Sequence, residues 1–164
     1  MTTATSFHLN GAPVTLDAPE NEPLLYALRN RLQLKATHFG CGLEQCGACV
    51  VDVDGAPAYA CTLPVSAVAG KVVTTAEMLA RDSIGLALMA AFEAECAGQC
   101  GYCLSGIMMS AFSLLKRDRH PDRATIVAAL DRHLCRCGAH GGILRAVERA
   151  AAEIGAAGAL GAPG

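Results

Sequence analysis

Four cysteines between residues 41 and 61 constrain this chain more than any other feature. Gly40 to Cys49 reads Gly-Cys-Gly-Leu-Glu-Gln-Cys-Gly-Ala-Cys, which spaces Cys41, Cys46 and Cys49 as C-x4-C-x2-C. That spacing suits a 2Fe–2S cluster held by thiolates. Gly40, Gly42 and Gly47 let a tight loop close around an inorganic core, with positive φ where it is needed. Their amide N–H groups can then point at sulfur as an anion-binding nest does. The fourth thiolate comes back on a hairpin. Val50 to Val53 is strand-like, Asp54-Gly55 signals a tight turn, and Ala58 to Cys61 returns beside Cys49. Zinc is the weaker reading, because a four-residue gap between the first two ligands is unusual for it. Disulfides are weaker still, since cysteines this close in one loop rarely meet bridging geometry.

Around this loop the sequence predicts a small α+β unit over residues 1–76. Phe7 and Leu9 alternate with polar neighbours, Asn10-Gly11 signals a type I′ turn, and Val14 and Leu16 alternate on the far side. Pro23 opens a helix expected over Leu24 to Leu32, with Leu24, Leu25, Leu28 and Leu32 on one stripe and Arg29 and Arg31 on the wet side. Lys71 to Thr75 is a β-branched strand. A β-grasp sheet accommodates these pieces.

The pattern turns helical over residues 77–155. Four helices are expected. The first covers Ile84 to Glu95, and the second carries Leu104, Ile107, Met108, Ala111, Leu114 and Leu115. The third is capped by Asp122, and the fourth carries Ile143, Val147, Ala151 and Ile154 and ends at Gly155. Short connections suggest a bundle. Residues 156–164, nearly all Gly and Ala, are expected to form a flexible tail.

This half has its own cysteines. Cys100 and Cys103 stand as C-x2-C, Cys135 and Cys137 as C-x-C. A helix from Cys103 to about Arg117 rises roughly 20 Å at 1.5 Å per residue, and the helix after His120-Pro121 descends about as far. An antiparallel pair therefore brings both motifs to one end of the bundle, where four thiolates can hold a second 2Fe–2S cluster. The helix starting at Cys103 and the one starting after Gly141 would point their N-termini at it, which favours the negative charge. Zinc stays open for this second set, with His140 as an added ligand. Cys96, one helical turn before Cys100, is expected to be a buried free thiol. His38, His120 and His133 show no ligand partners.

Bulk properties narrow the function. Charged residues make up 17% of the 164 residues and apolar ones 52%, with a net charge of −2. That gives no sign of nucleic-acid binding and suggests a surface partly covered by other subunits. No run of 18 apolar residues is present, so no membrane span is expected. Met1 to Thr15 lacks a basic start and an apolar core, so no signal peptide is expected and the reading is cytoplasmic, although export with a partner or membrane association through one stays open. Nine cysteines then point to metal ligation rather than disulfides.

The order C-x4-C-G-x-C, Cys, Q-C-G-x-C, L-C-R-C-G resembles the small iron–sulfur subunit of the molybdenum hydroxylases, the xanthine dehydrogenase and aldehyde oxidase family. The resemblance covers about residues 5–154. Leu-Asn-Gly at 9–11, Pro-Leu-Leu-Tyr at 23–26 and Cys137-Gly-Ala-His140 are similar to the isoquinoline 1-oxidoreductase and nicotinate dehydrogenase branch. It implies a plant-type ferredoxin domain followed by a helical 2Fe–2S domain. It also implies a large partner subunit with a molybdenum–pterin cofactor, which inserts water-derived oxygen into an N-heteroaromatic or aldehyde substrate. Electrons would enter at Cys100, Cys103, Cys135 and Cys137, pass to Cys41, Cys46, Cys49 and Cys61, and leave to a flavin or cytochrome subunit. Gln99 would hydrogen-bond the pterin and Cys137 would lie beside its amino group. A free-standing two-cluster ferredoxin is the rival in another class, and a zinc-binding adaptor is a third. The low charge speaks against a docking carrier.

Overall fold

Alternating apolar residues and two tight turns build a mixed sheet. A computed structural model of the chain describes residues 2–160, with side chains described through Ala156. Strands β1 (Thr2–Leu9), β2 (Ala12–Pro19), β3 (Val50–Val53), β4 (Ala56–Tyr59) and β5 (Val72–Thr74) order as β2-β1-β5-β3-β4. Only β1 and β5 run parallel. Asn10-Gly11 and Asp54-Gly55 both sit at positive φ, which makes each hairpin a two-residue type I′ turn. Pro13, Pro19 and Pro57 all fall on β2 or β4, the sheet's edges, where a missing N–H costs no ladder bond.

The stripe after Pro23 departs from a simple helix. Leu24–Tyr26 is α1, but Ala27–Arg31 widens into a π turn closed by Leu32 N–H to Ala27 C=O. Leu24, Leu25 and Leu28 are fully buried as expected. Arg29 is not simply wet. Its guanidinium donates to the carbonyls of Lys35 (2.6 Å) and Thr37 (2.7 Å), tying down the run that enters the cysteine loop.

A short 3-10 turn, Ala76–Arg81, carries the chain from the sheet to α2 (Ser83–Ala94), α3 (Leu104–Arg117), α4 (Arg123–Leu130) and α5 (His140–Leu160). Asp122 caps α4 as expected, accepting from Thr125 N–H. Two further expectations need correction. The last helix does not stop at Gly155 but runs to Leu160, so the expected tail begins no earlier than residue 161, and 161–164 lie outside the described residues. Gly155 serves packing instead: a Cβ there would lie 2.4 Å from the His120 ring. Cys96 is exposed, not buried. Helix α2 ends in a Schellman motif, with Ala97 N–H bonding Phe92 C=O and Cys96 N–H bonding Glu93 C=O. Cys96 holds its left-handed position, with φ 47°, so the helical spacing to Cys100 is lost.

The two halves share β3. Val51 packs in the sheet's own core with Leu24, Leu28 and Val73, while Val50 joins the helical core with Ile107, Phe112 and Leu115. Strand alternation thus seats α3 on the opposite face. Beside it, the buried Asp52 carboxylate accepts from Ser113 on α3 and from Gly55 N–H.

Candidate metal centres

The first four cysteines converge as the spacing requires. Val50 pairs with Tyr59 across the hairpin, Ala60 N–H bonds Cys49 C=O, and Cys61 is returned beside Cys49. The Cys41 and Cys46 thiols are neighbours that influence each other's ionisation, and so are those of Cys49 and Cys61. The loop's amides turn inward. Cys41 Sγ accepts from Leu43 N–H (3.3 Å) and Gln45 N–H (3.2 Å), and Cys46 Sγ accepts from Cys41 N–H (3.3 Å). Gly40 is needed for close approach, since a Cβ there would lie 2.5 Å from Cys46 Sγ.

The second four also meet, at the start of α3 and just ahead of α5. Cys100 pairs with Cys137 and Cys103 with Cys135. Cys103 is the residue from which α3 springs, and the Ala139 N–H at the head of α5 bonds the Cys135 thiol. Gln99 lies across the opening, its amide nitrogen 3.5 Å from Cys137 C=O, and is exposed.

The thiols divide by environment. Burial raises the Cys41 thiol, but the N–H groups of Leu43 and Gln45 outweigh it and hold it at about 7. Cys100 is lowered by the Tyr102 N–H and by Cys137. Cys135 is lowered by the Ala139 N–H and by Cys103, against a burial contribution that is the largest single influence. Burial pushes the inner thiols Cys49 and Cys103 up to about 12, with Cys61 and Cys135 beside them. Each set therefore pairs a readily ionised outer thiol with an inner one that a metal must deprotonate.

The donor set fits a two-iron cluster better than one ion. Each set falls into two thiol pairs, one pair for each iron of a 2Fe–2S core. His140 donates its Nε2–H to His133 C=O (3.3 Å).

Sequence reasoning missed what joins the two sets. Leu134 N–H bonds Cys46 C=O (3.1 Å), so the residue before Cys135 touches a residue of the first set. Arg132 donates to Glu44 C=O (2.9 Å). Tyr102, between Cys100 and Cys103, donates its hydroxyl to Phe39 C=O (2.7 Å). Its ring stacks on His38 at 4.5 Å, and His38 Nδ1–H donates to Tyr102 C=O (2.8 Å). His133 is buried against Gly47, hydrogen-bonded through Nε2 to Ser110 Oγ (2.7 Å), and burial pushes its imidazole down to about 4, leaving the ring neutral. Gly106 on α3 meets the Gly47 carbonyl so closely that a Cβ would lie 2.0 Å from it. The residues at these junctions are ordinary polar or small ones, and only their neighbours in space give them a role.

Comparison with known proteins agrees with this geometry. Residues 7–80 match the family described as 2Fe-2S iron-sulfur cluster binding domain, and residues 75–148 the family described as 2Fe-2S binding domain. The chain is 45% identical to one of the chains of nicotinate dehydrogenase from Pseudomonas putida, over 92% of this chain and 96% of that one. It is 47% identical to the alpha chain of isoquinoline 1-oxidoreductase from Brevundimonas diminuta, over 90% and 97%. This chain belongs to the iron–sulfur subunits of the molybdenum hydroxylases. Among solved structures, quinoline 2-oxidoreductase from Pseudomonas putida 86 superposes with a TM-score of 0.87 at 30% identity, covering 96% of this chain and 98% of that one. With one domain of each kind, this iron–sulfur subunit carries two 2Fe–2S clusters and is part of an oxidoreductase. No helix among its described residues is long and apolar enough to cross a membrane.

Proposed function

We propose that this subunit relays electrons from the molybdenum–pterin site of a large partner to an outgoing flavin or cytochrome subunit, in an enzyme that hydroxylates an N-heteroaromatic, nicotinate-like compound with water-derived oxygen. The two relatives of 45% and 47% identity are named for nicotinate and isoquinoline, which supports the substrate class over an aldehyde. Residues 1–76 and 77–155 are the two cluster-bearing units. Cys41 and Cys46 hold one iron of the first cluster, Cys49 and Cys61 the other. In the second, Cys100 pairs with Cys137 and Cys103 with Cys135. When bound, each cluster supplies one reversible single-electron centre, so that a two-electron oxidation can leave in single steps.

The observation that carries the reading is the pairing of eight thiols in two sets joined by short backbone contacts. Leu134 N–H on Cys46 C=O gives a connection of few bonds between the sets. The exposed Gln99 and half-exposed Cys137 face outward at the second set, where they can meet the pterin and take electrons first. The first set carries exposed Phe39 and Leu43 on its loop, an apolar rim suited to an outgoing partner. Cys103→Ser in the assembled complex tests the route. The first cluster should persist while turnover with the physiological acceptor stops. Normal turnover in that variant contradicts the route.

A further inference from the structure

Within the first cysteine loop, Glu44 stands at φ 57°, a left-handed position that glycine fills more easily. Such a conformation persists only where its surroundings fix it, and in a functional loop it points to a role. Both ends of the residue are engaged. Its carboxylate accepts from the hydroxyl of Thr62, the residue after Cys61. Its C=O accepts from Arg132 Nη2 (2.9 Å), which belongs to the other half of the chain, three positions before Cys135. The Arg132 guanidinium also lies over the Tyr59 ring, with Cζ 4.8 Å from the centroid. Tyr59 pairs with Val50 in the hairpin that returns Cys61 beside Cys49.

Two contacts thus hold one cation on the first site, one from the loop and one from the hairpin. Leu134 N–H on Cys46 C=O fixes the segment behind it. Only Gln45 separates Glu44 from Cys46, so chain geometry keeps the guanidinium within about 10 Å of the Cys46 Cα. That is about one Debye length at 0.1 M salt, and the charge is felt there. The Tyr59 hydroxyl registers the same field. Burial raises its ionisation range most, Arg132 pulls it down, and Cys49, Glu44 and Cys46 push it up. Arg132 and the thiols of the first set therefore act on one place. Arg132 is exposed, so solvent keeps its influence modest.

We propose that Arg132 and Glu44 set the reduction potential of the first cluster site with opposite signs, Arg132 raising it and the Glu44 carboxylate lowering it. This rests on the electron-relay reading above and deepens it. A nearby cation favours the reduced, more negative state of the site, and a nearby anion opposes it. The electron that passes between the sites leaves the second oxidised and the first reduced by one. Arg132 favours that direction with a charge that the second cysteine segment itself delivers. Neither residue touches substrate, and both act as positioning residues through the first site.

The test is a reductive titration of the assembled complex read by paramagnetic resonance, with Arg132→Gln, Arg132→Lys and Glu44→Gln. Arg132→Gln removes the charge and should shift the electron distribution between the sites about threefold against the first, equivalent to about 28 mV for a one-electron couple. Arg132→Lys keeps the charge without the planar fork and should show less than half of that shift. Glu44→Gln should move the distribution about threefold the other way. In each variant the second site's potential should move less than the first's. At about 1 M salt, where the Debye length is about 3 Å, most of the difference between Arg132→Gln and the unsubstituted complex should vanish. Equal shifts in Arg132→Gln and Arg132→Lys, a shift that survives that salt, or unchanged potentials with full iron in Arg132→Gln overturn the assignment. Should Arg132→Gln fail to hold the first cluster, Glu44→Gln decides. A raised first potential there supports the assignment, and an unchanged one with full iron overturns it. A complex with no iron at either site sinks the relay reading instead.

Discussion

At the scale of single residues, the cysteine thiols differ more than their common role suggests. Cys41 sits in a nest of N–H groups and ionises near pH 7, whereas burial keeps Cys49 and Cys103 protonated up to about pH 12. In cluster-free protein at neutral pH, Cys41 should react with iodoacetamide well before Cys49 or Cys103, as peptide mass spectrometry would read. Equal rates for the three would contradict these environments. Because the inner thiols must lose protons to bind iron, cluster insertion should grow easier as pH rises. The spacing of Cys41, Cys46 and Cys49 makes the ligand set legible in sequence. The pairing within each set is not, because it depends on where the hairpin and the two helix N-termini bring the sulfurs.

At the scale of elements, α3 and the first loop approach closely at Gly106 and Gly47. Gly106→Ala would place a methyl 2.0 Å from the Gly47 carbonyl, and neither backbone can yield cheaply. We expect a loss of about 1–3 kcal/mol in thermal unfolding, with the first cluster's absorption lost before the second's. Cys96→Gly should act in the opposite sense. It relieves a left-handed φ of 47° at the Schellman position and should stabilise the protein by about 1 kcal/mol. Cys96 and Gly155 show why element ends are hard to read from sequence. Cys96 looks like the next turn of α2 because nothing in its side chain announces a cap. Gly155 looks like a stop because glycine usually is one, yet here it makes room for His120. The Leu24 stripe predicts which face is buried but not the π turn that Arg29 and the loop entrance accompany.

At the scale of the whole molecule, two cores meet on one strand, and the residues between Cys135 and α4 reach back to the first loop. The β-grasp and helical halves were visible as a change of hydrophobic period, and the two cysteine sets as motifs. Their close union was not visible, because it is made by backbone groups of Cys46, Gly47 and Phe39 and by His38, Tyr102 and His133, none of which carries a spacing signal. The union sets His133 and Gly106 against the Gly47 of the first loop, and Leu134, beside Cys135, against Cys46. The central claim is that eight of the nine cysteines hold two separate iron clusters. Iron analysis and paramagnetic resonance of the dithionite-reduced complex test it most directly. Four irons per chain and two distinct S = 1/2 signals are predicted, with Cys61→Ser removing one signal and Cys103→Ser the other. A single signal, or zinc in place of iron at either set, would contradict it.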